Sequence, residues 1–124
     1  MSAKILLVED DPEQAILFAQ VLQMSGYEVV SVLTAEAAQA RLAEGSFALL
    51  LADWDLPGGM QGDALILWAK AHDPGIKTIL FSNHPQVDEI ATACGADAAF
   101  RKTEGILKMR QLVSNLLSSS AGHA

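Results

Sequence analysis

The amino-acid sequence predicts a doubly wound α/β domain, a parallel five-stranded sheet with helices on both faces. Three observations lead there. Five short apolar runs recur about every twenty to thirty residues, the length of a βα unit. The segments between them carry apolar residues at helical spacing. Glycines and capping residues stand at the joins. Five βα units with short connections imply parallel strands linked by right-handed crossovers.

Taken in order, the first run is Ile5–Val8, followed by Asp11-Pro12, an N-cap with proline at the first helical position. Leu17, Phe18, Val21, Leu22 and Met24 then form one apolar stripe, and Gly26 is expected to end that helix in a left-handed conformation. Glu28–Val32 is the second strand, and Thr34 caps a helix beginning Ala35-Glu36 and closed by Gly45. Ala48–Ala52 is the third strand, and the helical stretch carrying Trp68 after it ends at Gly75. Thr78–Phe81 and Ala98–Phe100 complete the strands, with Cys94 and Gly95 ending the helix between them. Ile106, Met109, Leu112, Val113 and Leu116 make the last helical stripe. Most runs are continuously apolar, as strands covered on both faces should be. The domain is expected over residues 3–117, with residues 118–124, small and polar, as a flexible tail.

Composition excludes several classes. The 124 residues suit one domain, and 51% hydrophobic content is too high for intrinsic disorder. The single cysteine, Cys94, rules out an internal disulfide framework and a cysteine-rich zinc site. A net charge of −7 argues against direct nucleic-acid binding and against an anionic membrane as main partner. The longest apolar run, Phe47 to Ala52, is far too short to span a bilayer, and no secretory signal opens the chain. A cytoplasmic location is the expectation.

In an open parallel sheet, ligands bind outside the carboxyl ends of the strands. Glu9, Asp10 and Asp11 follow the first strand, and Asp53, Trp54 and Asp55 the third. Ser82, Asn83 and His84 follow the fourth, and Arg101 and Lys102 the fifth. Carboxylates gathered this closely repel unless a cation sits among them. An all-oxygen cluster suits a hard ion such as Mg²⁺. A carboxylate on such an ion, beside a lysine and a hydroxyl, is equipped to become an aspartyl phosphate.

Lys4-Ile5-Leu6-Leu7-Val8-Glu9-Asp10-Asp11, Leu51-Ala52-Asp53-Trp54-Asp55-Leu56-Pro57, Ile79-Leu80-Phe81-Ser82 and Gly95-Ala96-Asp97 with Lys102 together resemble the response-regulator receiver family. The likeness runs from residue 4 to about 117 in the family's order. It implies a three-layer flavodoxin-like (βα)₅ fold with strand order 2-1-3-4-5. It implies Asp53 as phosphoacceptor, with Glu9 and Asp10 as the acidic pair. Mg²⁺ would be held by Asp10, Asp53 and the backbone carbonyl of Asp55. Lys102 would bridge to the phosphoryl group, and Ser82 would be the hydroxyl that moves toward it. The donor would be a phosphohistidine on a sensor histidine kinase or a histidine phosphotransfer protein, and the product would control a downstream protein. Such a chain is no turnover enzyme, because its only catalysis is transfer onto Asp53 and slow hydrolysis.

Three positions depart from the family pattern: Asn83 where a small residue is usual, Ala99 where an aromatic is usual, and Thr103 where a cis-proline commonly follows the lysine. Phe100 is expected on the opposite strand face from Ala99. Asp55 and His84, two residues past Asp53 and Ser82, are expected to tune hydrolysis of the phosphoryl group. The departures leave open a receiver fold kept as a phosphorylation-independent interaction module. A phosphatase like the haloacid dehalogenases would also use an Asp-x-Asp pair, but its pair belongs on the first strand. For flavin mononucleotide, the acids after the first strand are the wrong charge.

Overall fold

The computed structural model describes residues 3–121. Strands and helices alternate: β1 (Lys4–Val8), α1 (Pro12–Met24), β2 (Glu28–Val32), α2 (Ala35–Glu44), β3 (Leu49–Asp53), α3 (Gly62–His72), β4 (Lys77–Ser82), α4 (Val87–Cys94), β5 (Ala98–Arg101) and α5 (Ile106–Ala121). A short 3₁₀ turn, Lys102–Glu104, joins β5 to α5. All five strands are parallel, in the order β2-β1-β3-β4-β5. The fold is the one expected, order included.

Side-chain alternation along the strands divides the core into two halves. Ile5, Leu7, Leu49, Leu51, Ile79, Phe81 and Phe100 face α1 and α5, packing on Phe18, Leu22, Met109 and Val113. Leu6, Val8, Leu50, Ala52 and Leu80 face α2, α3 and α4, packing on Leu42, Leu65, Ile66 and Ala91. Every residue of β3 is buried, so its run Leu-Leu-Leu-Ala has no polar alternation. Each leucine fully buried there stabilises the fold by about 2 kcal/mol. Edge strand β2 is only half-buried, at Val29, Val30 and Val32.

Helix starts follow their capping chemistry. The Asp11 carboxylate accepts from Glu13 N at 3.2 Å, and Thr34 Oγ1 accepts from Ala37 N at 3.0 Å. Gly26 (φ 96°) and Gly95 (φ 79°) have the left-handed backbone expected after α1 and α4. Gly45 does not: it is extended at φ −156°, and Gly75 also lacks a positive φ. After α2 the chain drops directly toward β3. After α3, Asp73 closes a tight turn by accepting from Gly75 N at 3.1 Å.

Two further expectations are corrected. Leu17 and Met24 are not on the buried stripe of α1; they are 43% and 87% exposed, while Ala15, Phe18 and Leu22 face the sheet. The tail placed from Ser118 is helical as far as Ala121, because α5 continues without a breaker. Residues 122–124, including His123, lie outside the described residues.

Candidate functional site

Parallel strands end side by side, so the residues closing β1, β3, β4 and β5 meet at one edge of the sheet. Asp53 and Ser82 are the last residues of β3 and β4, one step inside the positions expected past the strands. Asp53 continues the row of Leu49 and Leu51, and Glu9 that of Ile5 and Leu7, so both turn toward the α1/α5 side. Glu9 and Asp53 are 0% and 1% exposed, whereas Asp10 lies at the surface.

Lys102 Nζ donates to Asp53 Oδ2 at 2.7 Å and lies 3.2 Å from Glu9 Oε1. The ammonium also sits 5.6 Å above the Phe81 ring. Phe81 stacks on Phe100 at 5.4 Å and meets Phe18 edge-on at 5.3 Å, an aromatic floor that holds the lysine stem. On the other side, Asp55 N donates to Asp53 Oδ1 at 3.0 Å. Both oxygens of Asp53 are thus held, one by an ammonium and one by an amide.

The electrostatics follow from burial. Loss of water and the adjacent Asp53 charge push the Glu9 carboxyl up to about 7. Lys102 also loses water, yet its bond to Asp53 and the two carboxylate charges keep its ammonium above the usual lysine range. One oxygen from each of Glu9, Asp10 and Asp53 lies within 4.8 Å of the others, an arrangement that can hold a metal ion. The donors are all carboxylate oxygens, as a hard divalent cation requires. Glu9 Oε1 is buried and faces the Lys102 ammonium at 3.2 Å, so the lysine already offsets part of the charge gathered here.

Ser82 is fully buried. Its hydroxyl donates to Asp55 Oδ2 at 3.2 Å and accepts from His84 N at 3.0 Å. The His84 ring meets Trp54 edge-on at 5.1 Å, and its Nδ1 accepts from Gln86 N at 3.0 Å, at the start of α4. Asp55 and His84 therefore both contact Ser82, and Trp54 is half-buried at the rim. Asp11 serves as the α1 cap. Asn83 is exposed.

The departures also have structural readings. Ala99 packs toward α2, α3 and α4 with no ring, and Phe100 does not replace one, being locked on the opposite face. The Lys102–Thr103 peptide is trans, and the chain turns through the 3₁₀ segment instead. Arg101 steadies this corner: its N–H donates to Glu104 Oε1 at 2.8 Å and its guanidinium to Pro85 O at 2.9 Å.

Sequence reading missed two supports of the site. Gly62, first residue of α3, lies so close to β3 that a Cβ there would overlap the Asp53 carbonyl oxygen and crowd Trp54 Cα. Gln61 Oε1 accepts from Leu56 N at 3.0 Å, closing the loop after Asp53. A glycine opening a helix was the available signal for the first. The second had none, because a glutamine in a loop has no pattern.

Fold and site together define an α/β domain with an acidic, lysine-paired centre at the carboxyl edge of a parallel sheet. The chain belongs to the response regulator receiver domain family, whose pattern it matches over residues 5–115. It is 35% identical over 99 residues to the response regulator protein FleR of Pseudomonas aeruginosa, covering 80% of this chain and 21% of that one. To the response regulator receiver protein CpdR of Brucella abortus it is 33% identical over 84 residues, covering 68% of this chain and 69% of that one. A CheY-like response regulator receiver domain protein from Methanospirillum hungatei superposes with a TM-score of 0.91 at 27% identity, each chain wholly covered. The chain spans 21%, 42% and 26% of the lengths of FleR, the swarming regulator RssB of Serratia marcescens and the phosphate regulator PhoB of Rhizobium meliloti. No helix among the described residues is long and apolar enough to cross a membrane.

Proposed function

We propose that this domain accepts a phosphoryl group from a phosphohistidine onto Asp53 and so switches a partner in a two-component system or phosphorelay. The contact that carries this reading is Lys102 Nζ at 2.7 Å from Asp53 Oδ2, beside the Glu9–Asp10–Asp53 trio. An Asp53 oxygen attacks phosphorus, forming a P–O bond as the P–N bond to the donor imidazole breaks. The imidazole keeps the electron pair and takes a proton from solvent. Mg²⁺, held by Asp10, Asp53 and the Asp55 main-chain carbonyl with Glu9 behind them, would neutralise charge on the transferring group. Lys102 then moves its hydrogen bond from Asp53 to a phosphoryl oxygen, and the Ser82 hydroxyl donates to another. Water later attacks phosphorus, forming a new P–O bond as the bond to the Asp53 oxygen breaks, which releases inorganic phosphate and restores the carboxylate. The domain is thus a stoichiometric acceptor without turnover of a free substrate.

The donor is a sensor histidine kinase or a histidine phosphotransfer protein in the cytoplasm, and the receiver of the signal is a further protein. The complete set of Glu9, Asp10, Asp53 and Lys102 weighs against a purely phosphorylation-independent module. Intact mass after incubation with Mg²⁺ and acetyl phosphate tests the reading. One phosphoryl group should add to the wild type, be abolished by EDTA and be absent from Asp53→Asn. An unmodified wild type overturns it.

A further inference from the structure

We infer that the Asp55 carboxylate is a resting-state latch on the Ser82 hydroxyl, which must be released before that hydroxyl can serve a phosphoryl group. This inference rests on the phosphoryl-acceptor reading above and gives a regulatory part to one more residue of the same site. A serine hydroxyl has a single proton to donate. In this structure it is committed to Asp55 Oδ2 at 3.2 Å, while the oxygen accepts from His84 N at 3.0 Å. Ser82 is fully buried, so its hydroxyl depends on these protein partners, while the Asp55 carboxylate reaches it from the exposed loop after β3.

Asp55 is in turn aimed by the phosphoacceptor. Its amide donates to Asp53 Oδ1 at 3.0 Å, so one residue grips Asp53 with its main chain and Ser82 with its side chain. A dianionic group on Asp53 offers the hydroxyl a stronger acceptor in the same neighbourhood. The two acceptors then compete for one proton, and the strength of the Asp55 bond is subtracted from the affinity of the activated state. Asp55 acts here through Ser82; it is a positioning residue.

The test is a set of beryllofluoride titrations at saturating Mg²⁺, followed by tryptophan fluorescence, on the wild type, Asp55→Ala, Asp55→Asn, Ser82→Ala and the Asp55→Ala/Ser82→Ala pair. Asp55→Ala should bind the mimic about three- to tenfold more tightly. Asp55→Asn keeps an acceptor oxygen without the charge, so it should stay near the wild type. With Ser82 already replaced, Asp55→Ala should change nothing further. Equal tightening by Asp55→Asn and Asp55→Ala, or a gain that survives in the Ser82→Ala background, would mean that charge alone acts, and the latch is overturned. The Asn-against-Ala comparison decides the matter even if the Ser82 variants fold poorly. Thermal unfolding without Mg²⁺ gives an independent reading: the Asp55→Ala and Ser82→Ala losses should be less than additive, and full additivity counts against the bond. A wild type that binds no beryllofluoride overturns the phosphoryl-acceptor reading and the latch together, whereas binding with additive effects overturns the latch alone.

Discussion

Gly62 at the start of α3 rests on the main-chain carbonyl of Asp53, and its amide donates to Trp54 O at 3.0 Å. The helix is thereby seated directly against the residue at the centre of the site. A methyl group at this position would strike backbone, which cannot rotate aside as a side chain can.

Gly62→Ala should therefore lower stability by about 1–3 kcal/mol, despite the better helix propensity of alanine. Urea unfolding measures the loss. The same variant should bind Mg²⁺ more weakly, because the displaced element is the one that carries Asp53. An alanine variant as stable as the wild type would show that α3 can shift without cost.

Lys102→Met removes the cation between two buried carboxylates. At pH 8 without Mg²⁺ the variant should lose about 1–3 kcal/mol, since the buried Glu9 and Asp53 carboxylates then lack their ammonium donor. Near pH 5, where Glu9 carries its proton, most of that loss should disappear. Urea midpoints at the two pH values provide the comparison, and a loss independent of pH would assign the effect to packing on Phe81 instead.

Acid and base act on the fold through different carboxyls. Glu9 is pushed up from 4.5 to about 7, so the folded protein holds that proton more tightly than the unfolded chain. Its stabilising contribution is complete below about pH 4.5 and is lost as pH rises through 7. Asp97 goes the other way: burial opposes its charge, but donors from Lys70 and Thr78 hold its carboxyl below the usual range. Its contribution is present above the ordinary aspartate range and is lost as pH falls through the lowered folded value. Without metal, the melting temperature should therefore decline from about pH 5 to pH 8. Saturating Mg²⁺ should flatten that decline by favouring ionised Glu9. Melting curves across the range, with and without Mg²⁺, show whether it does.

Mg²⁺ at ten times its dissociation constant should add about 1.4 kcal/mol to folding stability. Asp10→Asn should remove most of that gain while leaving the metal-free protein nearly unchanged, because Asp10 is exposed and supports nothing in the core. Differential scanning fluorimetry reads both quantities. A wild type indifferent to millimolar Mg²⁺ would count against a metal at the trio.

Asp97 ties β5 to β4 away from the site. It accepts from Lys70 Nζ at 2.6 Å, Thr78 N at 2.8 Å and Thr78 Oγ1 at 3.2 Å. Asp97→Ala should cost about 1–2 kcal/mol, more than an exposed ion pair is worth, because the buried Thr78 amide loses its partner. Unfolding measurements should register it, while Mg²⁺ affinity stays as in the wild type.

By itself the sequence determined the βα alternation, the buried strands and the residues at their ends. Continuous apolar runs and capping side chains act locally, so they are readable in one dimension. It also supplied Glu9, Asp10, Asp53, Ser82 and Lys102 as candidates, since strand ends in a parallel sheet share an edge. Which side chains bond to which was decided only in three dimensions. Asp53 and Lys102 are 49 positions apart, and the β3–β4–β5 register and the aromatic floor of Phe81 and Phe100 bring them together. The exposure of Leu17 and Met24, the extended Gly45 and the close seat of Gly62 depend on how helices settle on the sheet. The Asp55–Ser82 bond spans 27 positions, and it exists because β3 and β4 end side by side, leaving a buried hydroxyl to find its acceptor on the neighbouring loop.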